Sequence, residues 1–153
     1  MVNHLINDII VVGAKPLSVR DVIICGKMDK EVIKEIVRSI ANACRNQDCI
    51  LTGVETSEQP GVIEAGTYIL TASIVGIVEK EKITDGSKIE EKDLVIAVKS
   101  NGLHTNGYSL IRALIDRNTG IINMKIDGVS FLDVILKSHK CYWKDFSDLF
   151  CLM

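Results

Sequence analysis

The side chains of this chain that could do chemistry fall in three places. Asp8 sits inside an otherwise apolar helical pattern, among Leu5, Ile6, Ile9, Ile10 and Val12. A carboxylate buried without a partner is costly, so Asp8 must face solvent, a cation or a ligand. The pattern leaves a solvated polar stripe and a metal contact both open. Glu55 and Thr56 belong to the polar run Gly53-Val54-Glu55-Thr56-Ser57-Glu58-Gln59-Pro60-Gly61, just past the apolar Cys49-Ile50-Leu51. Hard oxygens beyond a strand end suit Mg²⁺, which takes few protein carboxylates and fills its shell with phosphate oxygens. A solvated turn has the same composition. The third place is Ser100-Asn101-Gly102-Leu103-His104-Thr105-Asn106-Gly107-Tyr108. Two glycines allow close approach to a ligand, His104, Thr105 and Asn106 offer donors, and the helix that follows leaves its first N–H groups unpaired. This composition suits a phosphate, and equally a strand-to-helix turn with Thr105 or Asn106 as N-cap.

The elements that must position these groups are legible from periodicity. Residues 4–13 read as a buried helix stopped by Gly13 and Pro16. Leu17 to Cys25 is β-rich, with Asp21 among Val19, Val22, Ile23 and Ile24. Asp29 is the expected N-cap of an amphipathic helix whose apolar stripe is Val32, Ile33, Ile36, Val37, Ile40, Ala43 and Cys44. Cys49–Thr52 is a short strand, and Thr67–Val78 a long one without strict alternation, expected to be covered on both faces, with a bulge at Gly76. Leu94–Val98 is expected to be the strand entering the Gly-rich turn, and residues 106–116 the helix leaving it. A strand-like piece at Ile121–Met124, a helix near Ser130–Leu136 and an amphipathic tail helix with no partner in this chain complete the reading. A polar run near Glu90–Asp93 divides the chain into blocks 1–92 and 93–153.

Composition excludes several classes. The 153 residues are 47% hydrophobic and 25% charged, which is globular. A net charge of −2 gives no basic surface for a nucleic acid backbone, and 5% aromatics are too few for base stacking. No run approaches the roughly 20 apolar residues of a membrane span. Met1-Val2-Asn3-His4 shows no signal-peptide pattern. Five scattered cysteines (Cys25, Cys44, Cys49, Cys141, Cys151) lack C-x-x-C spacing, arguing for free thiols and a cytoplasmic setting.

Several motifs together resemble phosphoribosylformylglycinamidine cyclo-ligases, also called aminoimidazole ribonucleotide synthetases. They are Val2-Asn3-His4 with Asn7-Asp8-Ile9, Gly13-Ala14-Lys15-Pro16-Leu17, Gly26-Lys27, Gly53 through Gly61, Gly76-Ile77-Val78-Glu79-Lys80 with Asp85-Gly86-Ser87-Lys88-Ile89, and Ser100 through Arg112. The resemblance runs in order from about Met1 to Lys140. It implies an α+β (mixed α/β) fold: an N-terminal synthetase domain whose strands pair into a barrel-like homodimer core, followed by the start of a second α/β domain. It implies an ATP- and Mg²⁺-dependent ring closure of formylglycinamidine ribonucleotide to aminoimidazole ribonucleotide in purine synthesis. On this resemblance Asp8 and His104 are the catalytic residues and Asp8 and Glu55 the metal contacts. Glu55, Thr56, Asn101, Gly102, Thr105, Asn106 and Gly107 line the nucleotide and substrate loops. Phosphoryl transfer is mostly positioning and charge neutralisation, which such residues supply.

The chain departs from the family at three loop positions. Val54 stands where a second Gly is usual, Gln59 where Met is usual, and Leu103 where Pro is common. The family's upstream Asp-Gly-Val-Gly-Thr-Lys stretch and downstream Thr-Gly-Gly-Gly stretch are not in these 153 residues. An internal piece of such an enzyme is therefore expected, inactive by itself. The competing expectations are a non-catalytic dimerisation or nucleotide-binding remnant, and another ATP-using enzyme of the same superfamily.

Overall fold

Apolar residues at helical spacing build α1 (Val2–Ile10), which buries Val2, Ile6 and Ile10 on one side. Gly13, at φ +80°, takes the left-handed conformation that ends the turn after α1, a position where a Cβ would be strained. A computed structural model describes residues 1–152. It divides them into two compact units. The first holds residues 1–89 and the segment from Cys141 onward, the second Glu90–Lys140.

The first unit is organised around β1 (Lys15–Cys25), the central strand of a three-stranded sheet. Asp29 accepts the N–H groups of Glu31 (2.9 Å) and Val32 (3.3 Å), capping α2 (Lys30–Asn46) as its sequence position predicts. That helix carries the chain from β1 to β2 (Ile50–Glu58), which lies parallel to β1. β3 (Tyr68–Ile77) lies antiparallel on the other side of β1. Gly76 pairs with Pro16, and the register shift beside them falls on β1, between Pro16 and Ser18, not on β3 where the bulge was expected. A Cβ on Gly76 would lie 2.8 Å from Ile9 Cδ1 and 2.9 Å from the Lys15 carbonyl oxygen, so glycine lets α1 pack close.

Strand alternation sorts the sheet into two faces. Val19, Asp21, Ile23 and Cys25 leave β1 on the side covered by the helices, where Val19 joins Ile6, Ile10, Ile40 and Cys44 in the core. Ser18, Arg20, Val22 and Ile24 leave on the other side, in register with Val75, Ser73, Thr71 and Ile69 of β3. This second face is open: Ile69 is 44% and Val75 54% exposed. The expectation that β3 is covered on both faces is corrected, because the helices of this unit lie on one side only. The loose alternation of the strand reflects apolar residues on both faces, not two covering layers.

Two further readings change. Residues 53–58 are strand, not loop, since β2 continues along β1 to the pair Cys25–Glu58. The polar run begins its loop only at Gln59. The tail also has a partner: α5 (Trp143–Leu152) packs with α1, and Cys141, Tyr142 and Trp143 lie against the first unit's core. Met153 lies outside the described residues. Three thiols, those of Cys25, Cys44 and Cys49, are free and buried, and that of Cys141 is free. The Cys151 side chain is not among the described ones.

In the second unit the apolar run Leu94–Val98 forms no strand; Leu94 and Val95 are almost fully exposed. A strand needs a ladder partner, and no described segment pairs with this one. α3 (Tyr108–Arg117) is capped by Gly107 without a side-chain bond, so neither Thr105 nor Asn106 is the N-cap. Residues 119–123 form a 3-10 turn instead of a strand, leading into the hairpin β4 (Lys125–Ile126) and β5 (Val129–Ser130). Ser130 then caps α4 (Phe131–Ile135) by accepting the Asp133 N–H at 3.0 Å. No described helix is long and apolar enough to cross a membrane.

Asp21 is the costly residue of this fold. It is 2% exposed, faces the helices, and neither carboxyl oxygen has a hydrogen-bond partner among the described residues. Ala72 and Val54 flank it in register and Cys44 of α2 faces it. Burial pushes its carboxyl above the ordinary value. A carboxyl raised in the fold contributes stability while protonated and loses it as pH climbs from the unfolded value, about 3.9, through the folded one. Stability to urea should therefore fall as pH rises from about 4 toward neutral, and Asp21→Asn should flatten that part of the profile. Asp21→Val, β-branched and apolar, should raise stability at neutral pH by about 1–3 kcal/mol. Gly26→Ala should do the opposite. A Cβ there would lie 2.3 Å from the carbonyl oxygens of Ile63 and Glu64, so a loss of about 1–3 kcal/mol is expected in the same unfolding measurement.

Candidate functional site

In the first unit the motif residues of α1 divide between structure and surface. Asn7 Oδ1 accepts the backbone N–H of Tyr142 at 3.0 Å, tying the chain before α5 to α1. Asp8, one position on, is exposed, with its carboxylate 3.6 Å from Nε2 of His4 one turn earlier. An exposed carboxylate on a rigid helix is available to a cation or a phosphate-bound metal.

Glu55 and Thr56 are neighbours in β2 and so point to opposite faces. Glu55 pairs with Val22, on the open face of the sheet. Thr56 pairs with Ile23, on the face covered by helices. Asp8 and Glu55 therefore stand on opposite sides of the sheet, since α1 packs on the covered face. Among the described residues no group of three or more His, Cys, Asp or Glu side chains is placed to hold a metal ion. Mg²⁺ needs only one or two protein carboxylates when phosphate completes its octahedron. Asp8 or Glu55 singly fits that demand, but within one copy of this chain they do not converge on one ion. Glu58 is structural, since its carboxylate accepts the Met28 N–H at 3.0 Å and ties the end of β2 to the loop before α2.

The buried thiols show no sign of activation. Desolvation pushes Cys44 up to about 11, with smaller contributions from Cys49 and Asp21. Cys49 and Cys141 are raised by burial as well. A thiol held protonated is a poor nucleophile.

The second unit gathers the Gly-rich loop. Gly102 and Gly107 have φ +86° and +80°, and His104 has φ +56°, unusual for a residue with a Cβ. His104 is turned back onto its own loop: its Nε2 accepts the Asn101 N–H at 2.8 Å and the Lys140 N–H at 3.4 Å. Asn101 Nδ2 donates to the Ser138 carbonyl at 3.0 Å, and the Tyr108 hydroxyl donates to the Ile135 carbonyl at 2.6 Å. The Ser100 hydroxyl donates to the Gly102 carbonyl at 3.2 Å. Thr105, Asn106 and Gly107 are exposed along the loop's outer side. Asn101, Gly102, His104, Thr105, Asn106 and Gly107 thus form one local constellation at the start of α3. Sequence reasoning missed the platform under it, residues 135–140. No motif signals that platform; its polar residues, Lys137, Ser138, His139 and Lys140, are types whose role depends on their neighbours.

Comparison with known proteins places this geometry in a family. Residues 1–78 match the family described as AIR synthase related protein, N-terminal domain. A phosphoribosylformylglycinamidine cyclo-ligase of Prochlorococcus marinus (strain MIT 9215) is 45% identical over 139 residues, covering 90% of this chain and 40% of the relative. The cyclo-ligase of Clostridium acetobutylicum is 42% identical over 139 residues, 91% of this chain and 41% of the relative. The chain thus spans about 40% of the length of the curated relatives it matches. Among solved structures, one described as the HypE-HypF complex superposes with a TM-score of 0.58 over 99% of this chain and 45% of that one, at 20% identity, a likeness of fold. The matched span covers α1, the whole β2-β1-β3 sheet and α2, and the chain belongs to the AIR synthase related protein family through its N-terminal domain.

Proposed function

We propose that this chain is the N-terminal domain and the start of the second domain of an ATP- and Mg²⁺-dependent cyclo-ligase. That enzyme would close formylglycinamidine ribonucleotide to aminoimidazole ribonucleotide, in the cytoplasm. The observation that carries the reading is identity of about 45% to proteins named phosphoribosylformylglycinamidine cyclo-ligase over 90% of this chain. Residues 1–92 would be the first domain and 93–153 the beginning of the second. Mg²⁺ would neutralise phosphate charge where phosphoryl transfer activates the formyl oxygen. Asp8 and Glu55 are the carboxylates of this chain suited to hold it. Asn101, Gly102, Thr105, Asn106 and Gly107 would shape the loop that receives an anionic substrate or nucleotide, with His104 ordering it and Thr56 lying behind Glu55 on the covered face of β2.

The open sheet face supports the homodimer. Val22, Ile24, Ile69 and Val75 make an apolar surface on a sheet whose edge strands, β2 and β3, pair with no further strand among the described residues, and a second copy would cover it. Facing sheets would carry the Glu55 of one copy toward the open face of its partner and leave both Asp8 carboxylates on the outer, helical sides. A non-catalytic dimerisation or nucleotide-binding role is the second reading, favoured by Val54 in place of glycine in the β2 motif.

Thermal unfolding with and without Mg·ATP tests the nucleotide site. At 100 times the dissociation constant, a ligand of the folded state alone adds about 2.7 kcal/mol, and that gain should vanish in Asp8→Asn. A cooperative transition unmoved by Mg·ATP would remove the nucleotide reading. Ring closure assayed on the chain alone should be undetectable, and robust turnover would contradict the part-enzyme reading. Val75→Lys, placing a charge on the open face, should convert a dimer to a monomer in sedimentation velocity. A monomeric unaltered chain would refute the dimer.

A further inference from the structure

The second unit holds a pair of imidazoles that the motif does not explain. The rings of His104 and His139 stack with centroids 4.0 Å apart and planes at 25°. Nε2 of His104 accepts two backbone N–H groups, from Asn101 at 2.8 Å and from Lys140, the residue after His139, at 3.4 Å. A ring nitrogen that accepts N–H bonds carries no proton, so the ring is neutral and its single proton is on Nδ1. His104 is in the left-handed backbone region, φ +56°, which any loosening of the loop would relieve. Something must hold the ring against that strain. The segment 135–140 does so from four points: the Ile135 carbonyl takes the Tyr108 hydroxyl, the Ser138 carbonyl takes the Asn101 amide, the Lys140 N–H donates to His104 Nε2, and the His139 ring stacks against His104.

We propose that His139 is a positioning residue for His104. Its ring is the surface against which His104 stacks, and with the Asn101 and Lys140 amides it holds His104 as the Nδ1–H tautomer. His104 then orders the loop; its Nε2 is committed to the backbone and does not serve as a general base. The consequence for a ligand rests on the reading of Ser100–Tyr108 as an anion-binding loop, whereas the tautomer and its dependence on His139 do not. A plain stacking surface is all the role requires, so an aromatic ring without nitrogen should replace His139.

Long-range proton–nitrogen correlation spectra of the ¹⁵N-labelled full chain read the tautomer directly. The expected pattern for His104 is a single form, Nδ1 protonated and Nε2 not. His139→Ala should convert it to an average of both tautomers, and His139→Phe should restore the single form. Binding of inorganic phosphate at the loop amides, followed in the same samples, should weaken about tenfold in His139→Ala and recover in His139→Phe. A protonated Nε2 in the unaltered chain, or an unchanged His104 pattern in a folded His139→Ala, would overturn the proposal. That first measurement needs no variant and so stands even if His139→Ala does not fold. Phosphate that leaves the loop amides of the unaltered chain unmoved would sink the anion-loop reading, while the loss and rescue of the tautomer would still establish the positioning role.

Discussion

Val19, Asp21, Ile23 and Cys25 leave β1 on one side of the sheet, and burying that side is the constraint on which the first unit depends. α1 supplies Ile6 and Ile10, and α2 supplies Ile40 and Cys44, to a shared core. Fully burying an Ile or Val side chain contributes roughly 1.5–3 kcal/mol, so this one face accounts for much of what keeps the unit folded. The rest is arranged to make it possible. Asp29 starts α2 at the right residue, Gly13 turns the chain from α1 toward β1, and Gly76 lets α1 approach the sheet.

The same arrangement determines which functional groups can act together. Helices on one face leave the other face open, and strand alternation delivers Glu55 to that open face and Thr56 to the covered one. Asp8, exposed on α1, stands on the helical side. A single copy of the sheet therefore presents its two site carboxylates in opposite directions. Asp21 belongs to neither group: it is a carboxyl on the buried side with no hydrogen-bond partner among the described residues, beside Val54 in register.

In the second unit the constraint is local. The Gly-rich loop is held by hydrogen bonds to a segment more than thirty residues later, and the ring of His104 is spent on that attachment. Thr105, Asn106 and Gly107 are the exposed positions of that loop. Positioning here comes from side chain to backbone contacts, because this unit has only a short two-stranded hairpin and no larger sheet.

By itself the sequence determined the local elements and the identity of the chemical groups. Helical spacing in residues 2–10 and 30–46, the Asp29 cap and the glycine stops act over a few residues, so they can be read without knowing the fold. The motifs around Asp8, Glu55 and His104 were legible for the same reason, since each is a contiguous run. Tertiary structure alone decided the extent of β2, which continues through a polar run because β1 pairs with it, and the fate of Leu94–Val98, which finds no strand partner among the described residues. It also decided that the tail packs on α1, that one face of β3 stays open, and that His139 lies under His104. Each of these depends on a contact between residues far apart in the chain, and pairing across such distances leaves no periodic trace in the sequence.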